Sequence, residues 1–171
     1  LMIGTTKDEA TLFMSADPLF GKMTEDQVRE RARRMTGAKA DATIDAIKAL
    51  RPNDAPFYWL TSLTTAQGTW MNSIRLAERK LAQPDQVYMF RLDWTAPFEG
   101  GVLRSPHGLD TPLAFDNPYA RPLMNGTGPE PRMIAARMSQ AWVNFARTGN
   151  PSQAGLDWPS YDTASRKTMI F

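Results

Sequence analysis

The chain mixes short apolar runs with stretches in which apolar residues recur every three or four positions. Leu1-Met2-Ile3-Gly4 is a brief apolar run followed by polar Thr5-Thr6-Lys7-Asp8-Glu9, the pattern of a buried strand over residues 1–4 emerging into a loop. Thr24 followed three residues later by Gln27 makes a capping box, and the charge-rich run beyond it ends at Gly37, which predicts a helix over 25–35. Ala40, Ile44, Ile47 and Leu50 recur at helical spacing until Pro52, giving a second helix over 39–50. A third fits 55–65. A fourth fits 69–81, suggested by Met71, Ile74, Leu76, Ala77 and Leu81, with Arg75, Glu78, Arg79 and Lys80 on its wet side.

Val87 to Trp94 is rich in β-formers and largely apolar, which suits a strand covered on both faces in a mostly parallel sheet. Pro-, Gly- and Asn-rich segments follow. Pro131 then opens a long helix over 132–147 with Ile134, Met138, Ala141, Trp142 and Phe145 on one face, closed by Gly149 and Pro151. Thr168 to Phe171 reads as a strand cut short. Strands separated by helical stretches make the fold class α/β. The opening residues read as the middle of a strand, so the expectation is a piece of a longer protein.

Composition narrows the chemistry. Twenty basic residues against eighteen acidic ones leave a net charge of +2 with no basic stripe, so nucleic acid is not implied. The Arg29, Arg31, Arg33 and Arg34 cluster is interleaved with Glu25, Asp26 and Glu30, as on a solvated helix face. No cysteine and a single histidine exclude disulfides, thiolate metal sites and multi-histidine zinc sites. No apolar run approaches the roughly 20 residues that span a bilayer, and the first residues lack the pattern of a signal peptide, which leaves the compartment open.

The one histidine, His107, lies in the turn-rich stretch Ser105-Pro106-His107-Gly108-Leu109-Asp110. A lone loop histidine is most often a polar surface group, but this one follows the carboxyl end of a buried strand, where open α/β sheets place ligands and catalytic groups. The acidic loop Asp8-Glu9 also follows a strand, so both groups fit one sheet edge. The aromatic stripe Met138, Trp142 and Phe145 has the spacing of core packing rather than of a cofactor site.

Three segments carry a family likeness. "IGTTKDEATLF" resembles the acid loop of the type B carboxylesterases, the cholinesterase-like branch of the α/β-hydrolases; "SPHGLDTPLAFDN" resembles their histidine loop; and "AWVNFARTGNPSQAGLDWPSYD" is similar to their Trp-x-x-Phe-Ala-Arg-Thr-Gly stretch followed by Trp-Pro-x-Tyr. The resemblance implies a serine esterase acting on a small-molecule carboxylic ester without metal or cofactor, with Glu9 as triad acid and His107 as general base. In this fold the chain order is nucleophile, acid, histidine, and no serine here has the Gly-x-Ser-x-Gly surroundings of the nucleophile elbow. Residues 1–171 are therefore expected to be the carboxyl-terminal part of one α/β-hydrolase domain: its last major strands, a helical excursion between acid and base, and the C-terminal helix. The portion bearing the nucleophile would precede them, and the isolated chain would be inactive.

The alternative is a non-catalytic cholinesterase-like domain that binds a protein partner. Ala10 departs from the family's usual glycine after the acid, which would shift the loop if the position needs positive φ. Asp8 and Asp110 are expected to be structural loop partners. Phe57, Tyr58, Trp59 and Trp70 lie where the family builds part of its pocket, although burial for stability is the commoner role for any one such residue.

Overall fold

The computed structural model describes residues 1–171 as a three-stranded parallel sheet with helices on both faces and a helical lobe at one side. Strand β1 spans Met2–Thr6, two residues beyond the expected end. Gly4 does not stop it. Gly4 pairs with Phe90, and a Cβ at this position would collide with the Phe90 carbonyl and ring, so the glycine marks close approach of neighbouring backbone.

A short helix α1 (Ala10–Met14) leaves the strand, and three longer helices follow: α2 (Glu25–Thr36), α3 (Ala40–Leu50) and α4 (Pro56–Thr65). The capping box forms as read, with Thr24 N–H donating to the Gln27 side chain at 2.9 Å and the Thr24 hydroxyl accepting from Gln27 N–H. Val28, Ile44, Phe57, Trp59, Leu60 and Leu63 close a core of their own between these helices. The arginines of α2 engage carboxylates at the surface: Arg29 reaches Glu25, Asp41 and Asp45, and Arg33 reaches Asp41.

A wide turn of π-helix over 66–70 joins α4 to α5 (Met71–Lys80), so the helix expected to begin at 69 is instead a continuation of α4 through a bulge. Gly68 lacks a side chain and Thr69 back-bonds to the Thr65 carbonyl at 3.1 Å, which weakens the regular ladder there.

Strand β2 (Tyr88–Leu92) is central, parallel to β1 on one side and to β3 (Met169–Ile170) on the other. Its side chains alternate. Tyr88, Phe90 and Leu92 enter a core with Ala135, Met138, Ala141 and Trp158, whereas Met89, with neighbouring Val87, packs on Ile74 and Ala77 of α5. Two short helices, α6 (Asp110–Ala114) and α7 (Pro122–Asn125), lead into α8 (Pro129–Thr148). Helix α8 begins earlier than expected because Pro129 takes the first helical position, and it ends at Gly149, whose left-handed φ of 78° lets its N–H close on the Phe145 carbonyl. No helix is long and apolar enough to cross a membrane.

Candidate active site

Two loops meet beyond the carboxyl ends of β1 and β2. After Thr6 the chain keeps the β1–β2 pairing for one more bond, Lys7 N–H to the Leu92 carbonyl at 2.9 Å, then turns into α1. The turn buries Glu9, which is 7% exposed. Both of its carboxylate oxygens are used: Oε1 accepts the Thr6 backbone N–H at 2.8 Å, and Oε2 lies 2.6 Å from Nδ1 of His107. The histidine comes from the other loop, where Leu109 N–H turns back to the Pro106 carbonyl and Gly108 takes φ 75°, a conformation that glycine adopts without strain.

The electrostatics fix the tautomer. An ionised carboxylate can only accept, so Nδ1 carries the proton of this contact and Nε2 is the nitrogen left to exchange protons. The His107 side chain is 54% exposed, so Nε2 remains accessible. The ring of Phe13, on α1, packs against it with centroids 5.1 Å apart and is itself largely exposed. Sequence reading missed Phe13, because a single exposed aromatic on a short helix gives no signal of a contact made with a loop far along the chain.

An open cleft of about 500 Å³ runs past the dyad, lined by Gly4, Thr5, Asn72, Leu76, Thr111 and others together with Glu9 and His107. The serine on its wall, Ser73, sits inside regular helix α5 rather than on a strand-to-helix elbow. Asp110 also borders the cleft, and burial, reinforced by the charge of Glu9, pushes its carboxyl above the usual aspartate range. It is the first residue of α6. Ala10 does not need positive φ: it is the first residue of α1, and its N–H donates to Thr65 Oγ1 at 3.1 Å.

Asp8 turns away from the dyad, toward Arg51 at 3.1 Å. Of the four aromatics, Phe57 and Trp59 are buried in the helical core, Tyr58 donates its hydroxyl to the Val102 carbonyl, and Trp70 packs at the edge of the α5 core. No three His, Cys, Asp or Glu side chains converge closely enough to hold a metal ion.

The model of the carboxylesterase family matches residues 1–171. The chain belongs to the carboxylesterase family. Among individual relatives, it is 27% identical to the para-nitrobenzyl esterase of Bacillus subtilis over 99% of its length, and 28% identical to the phenmedipham hydrolase of Pseudarthrobacter oxydans over 94%. The crystal structure of the Geobacillus stearothermophilus carboxylesterase at pH 6.2 superposes on 99% of the chain with a TM-score of 0.81 and 31% identity. The chain spans only part of its relatives' length, 33% of each of these two curated relatives and 36% of the Geobacillus structure.

Proposed function

We propose that the chain is the carboxyl-terminal part of a serine carboxylesterase domain, in which Glu9 is the triad acid and His107 the general base for a serine carried on the portion that precedes it. The observation that carries this reading is the 2.6 Å contact between Glu9 Oε2 and His107 Nδ1, made with a buried carboxylate and an accessible Nε2 at the edge of an open cleft. A protein-binding domain has no chemical need for that pairing.

In the proposed cycle Nε2 takes the serine hydroxyl proton as the oxygen attacks the ester carbonyl, then returns it to the departing alkoxide. Water repeats the sequence on the acyl-enzyme, delivering the carboxylic acid and the free serine. Glu9 holds the ring in the Nδ1–H tautomer and stabilises the imidazolium formed on the way. The substrate is a small-molecule carboxylic ester, a class in keeping with the para-nitrobenzyl esterase similarity, and the residues described require no cofactor.

The full-length enzyme containing this segment should release p-nitrophenol from p-nitrophenyl butyrate, and His107→Asn should abolish release while leaving the fold intact by circular dichroism. Undiminished turnover in folded His107→Asn would overturn the assignment.

A further inference from the structure

The imidazole of His107 has Glu9 as its hydrogen-bond partner and is otherwise half in solvent, so the contact depends on how firmly the two loops are held together. The segment just before the histidine is fastened residue by residue. Tyr58 donates to the Val102 carbonyl at 2.8 Å, the Thr11 hydroxyl sits 2.6 Å from the Leu103 carbonyl, and Ala96 N–H donates to the Arg104 carbonyl at 2.6 Å. Asp8 N–H donates to the Ser105 carbonyl at 2.9 Å, and Ser105 Oγ donates to the Leu92 carbonyl at 2.8 Å.

Four charged side chains complete the attachment. Asp8, 2% exposed and adjacent to Glu9, takes Arg51 at 3.1 Å; Arg51 faces Asp54 at 3.6 Å; and Asp54 accepts a two-pronged fork from Arg104 at 2.6 and 2.8 Å. Arg104 is bonded to Ser105, whose backbone returns to Asp8, so the circuit closes. Its charges alternate and cancel. The Arg104 guanidinium also stacks 3.4 Å above the Tyr58 ring, and its backbone is held at φ 56°, a region unfavourable to a residue with a Cβ. The fork holds the Asp54 carboxyl below the usual aspartate range. All four residues border a second cleft, whose lining shares no residue with that of the cleft beside the dyad.

We propose that Asp8, Arg51, Asp54 and Arg104 are positioning residues that set the distance between Glu9 and His107 by tying the acid loop to the histidine loop. The inference rests on the catalytic reading of that pair. Paired charges suit this task better than an apolar contact, because an arginine fork fixes direction as well as proximity.

The test uses the full-length enzyme, with kcat normalised to active sites titrated by a p-nitrophenyl phosphonate. Asp54→Asn keeps the shape and removes the charge shared by both arginines; Arg104→Lys keeps the charge and loses the fork; Arg104→Met loses both. Each should lower kcat with little change in KM, by about 10- to 100-fold for Asp54→Asn and Arg104→Met, as loop misplacement of about 1 Å does, and less for Arg104→Lys. Arg29→Met, which breaks ion pairs joining α2 to α3, should lower the melting temperature and leave kcat unchanged. Folded Asp54→Asn and Arg104→Met enzymes with kcat equal to that of the parent, alongside an inactive His107→Asn, would overturn the positioning role alone. Turnover surviving in His107→Asn would overturn the catalytic reading and the positioning role with it.

Discussion

Replacing Glu9 with glutamine exchanges one atom and reverses the hydrogen-bond logic of the pair. Oε1 of Glu9 receives the Thr6 N–H at 2.8 Å, and a backbone N–H can only donate, so the introduced amide must turn its oxygen toward Thr6. Its NH₂ then faces His107 Nδ1 across the 2.6 Å contact. Two donors cannot share that position, and the ring is driven to the tautomer with its proton on Nε2, which removes the lone pair needed to accept the serine proton. The same reversal in the serine-protease triad lowers kcat about 10⁴-fold. That factor corresponds to about 5 kcal/mol of lost transition-state stabilisation. Glu9→Gln in the full-length enzyme should therefore fall by about four orders of magnitude in kcat for p-nitrophenyl butyrate, with KM little changed and the melting temperature close to that of the parent, since the buried bond to Thr6 survives. A variant that keeps more than about a tenth of the parent kcat would refute the tautomer argument.

The isolated 171-residue chain should release no p-nitrophenol and, with the outer edge of β1 unpaired, should associate or bind ANS; turnover abolished by His107→Ala would instead expose a nucleophile within it, to be mapped by phosphonylation starting with Ser73. Trp158→Ala should lower unfolding free energy by about 3–5 kcal/mol in urea titrations of the full-length enzyme, because the ring is 2% exposed, meets Tyr88, Phe90, Trp142 and Phe171, and donates to the Met89 carbonyl; a loss below about 1 kcal/mol would contradict that packing. Asp110→Asn should stabilise the enzyme, and increasingly so as the pH rises above the ordinary aspartate range. The folded state binds the Asp110 proton more tightly than the unfolded one, so the parent loses stability as pH rises from the unfolded pKa to the raised folded one. Melting curves showing a difference independent of pH would rule this out.

Local signals made most of the scaffold legible. Thr24 and Gln27 announced the start of α2, Pro52 bounded α3, and the run from Val87 placed the central strand, because caps, breakers and apolar periodicity act within a few residues. Gly4 misled because its meaning is supplied by Phe90, far along the chain. The π turn at 66–70 keeps a helical side-chain pattern and so left no mark of its own. At the site, Glu9 and His107 could be read from motif resemblance, but the contact of His107 with Phe13 and the circuit through Arg51, Asp54 and Arg104 depend on loops meeting in space. Arginine and aspartate at a helix end look the same whether they meet a partner or water.

The long span between the two halves of the dyad also sets an order of events in time. Glu9 and His107 are 98 positions apart, and parallel strands cannot be joined by a tight hairpin, so the β1–β2 seam closes only after the whole intervening excursion has been gathered in. That excursion holds its own apolar centre among α2, α3 and α4, built from contacts close along the chain, and can condense early. On refolding from denaturant, helical ellipticity should return ahead of the Glu9–His107 contact, making the acid–base pair one of the last features the polypeptide acquires.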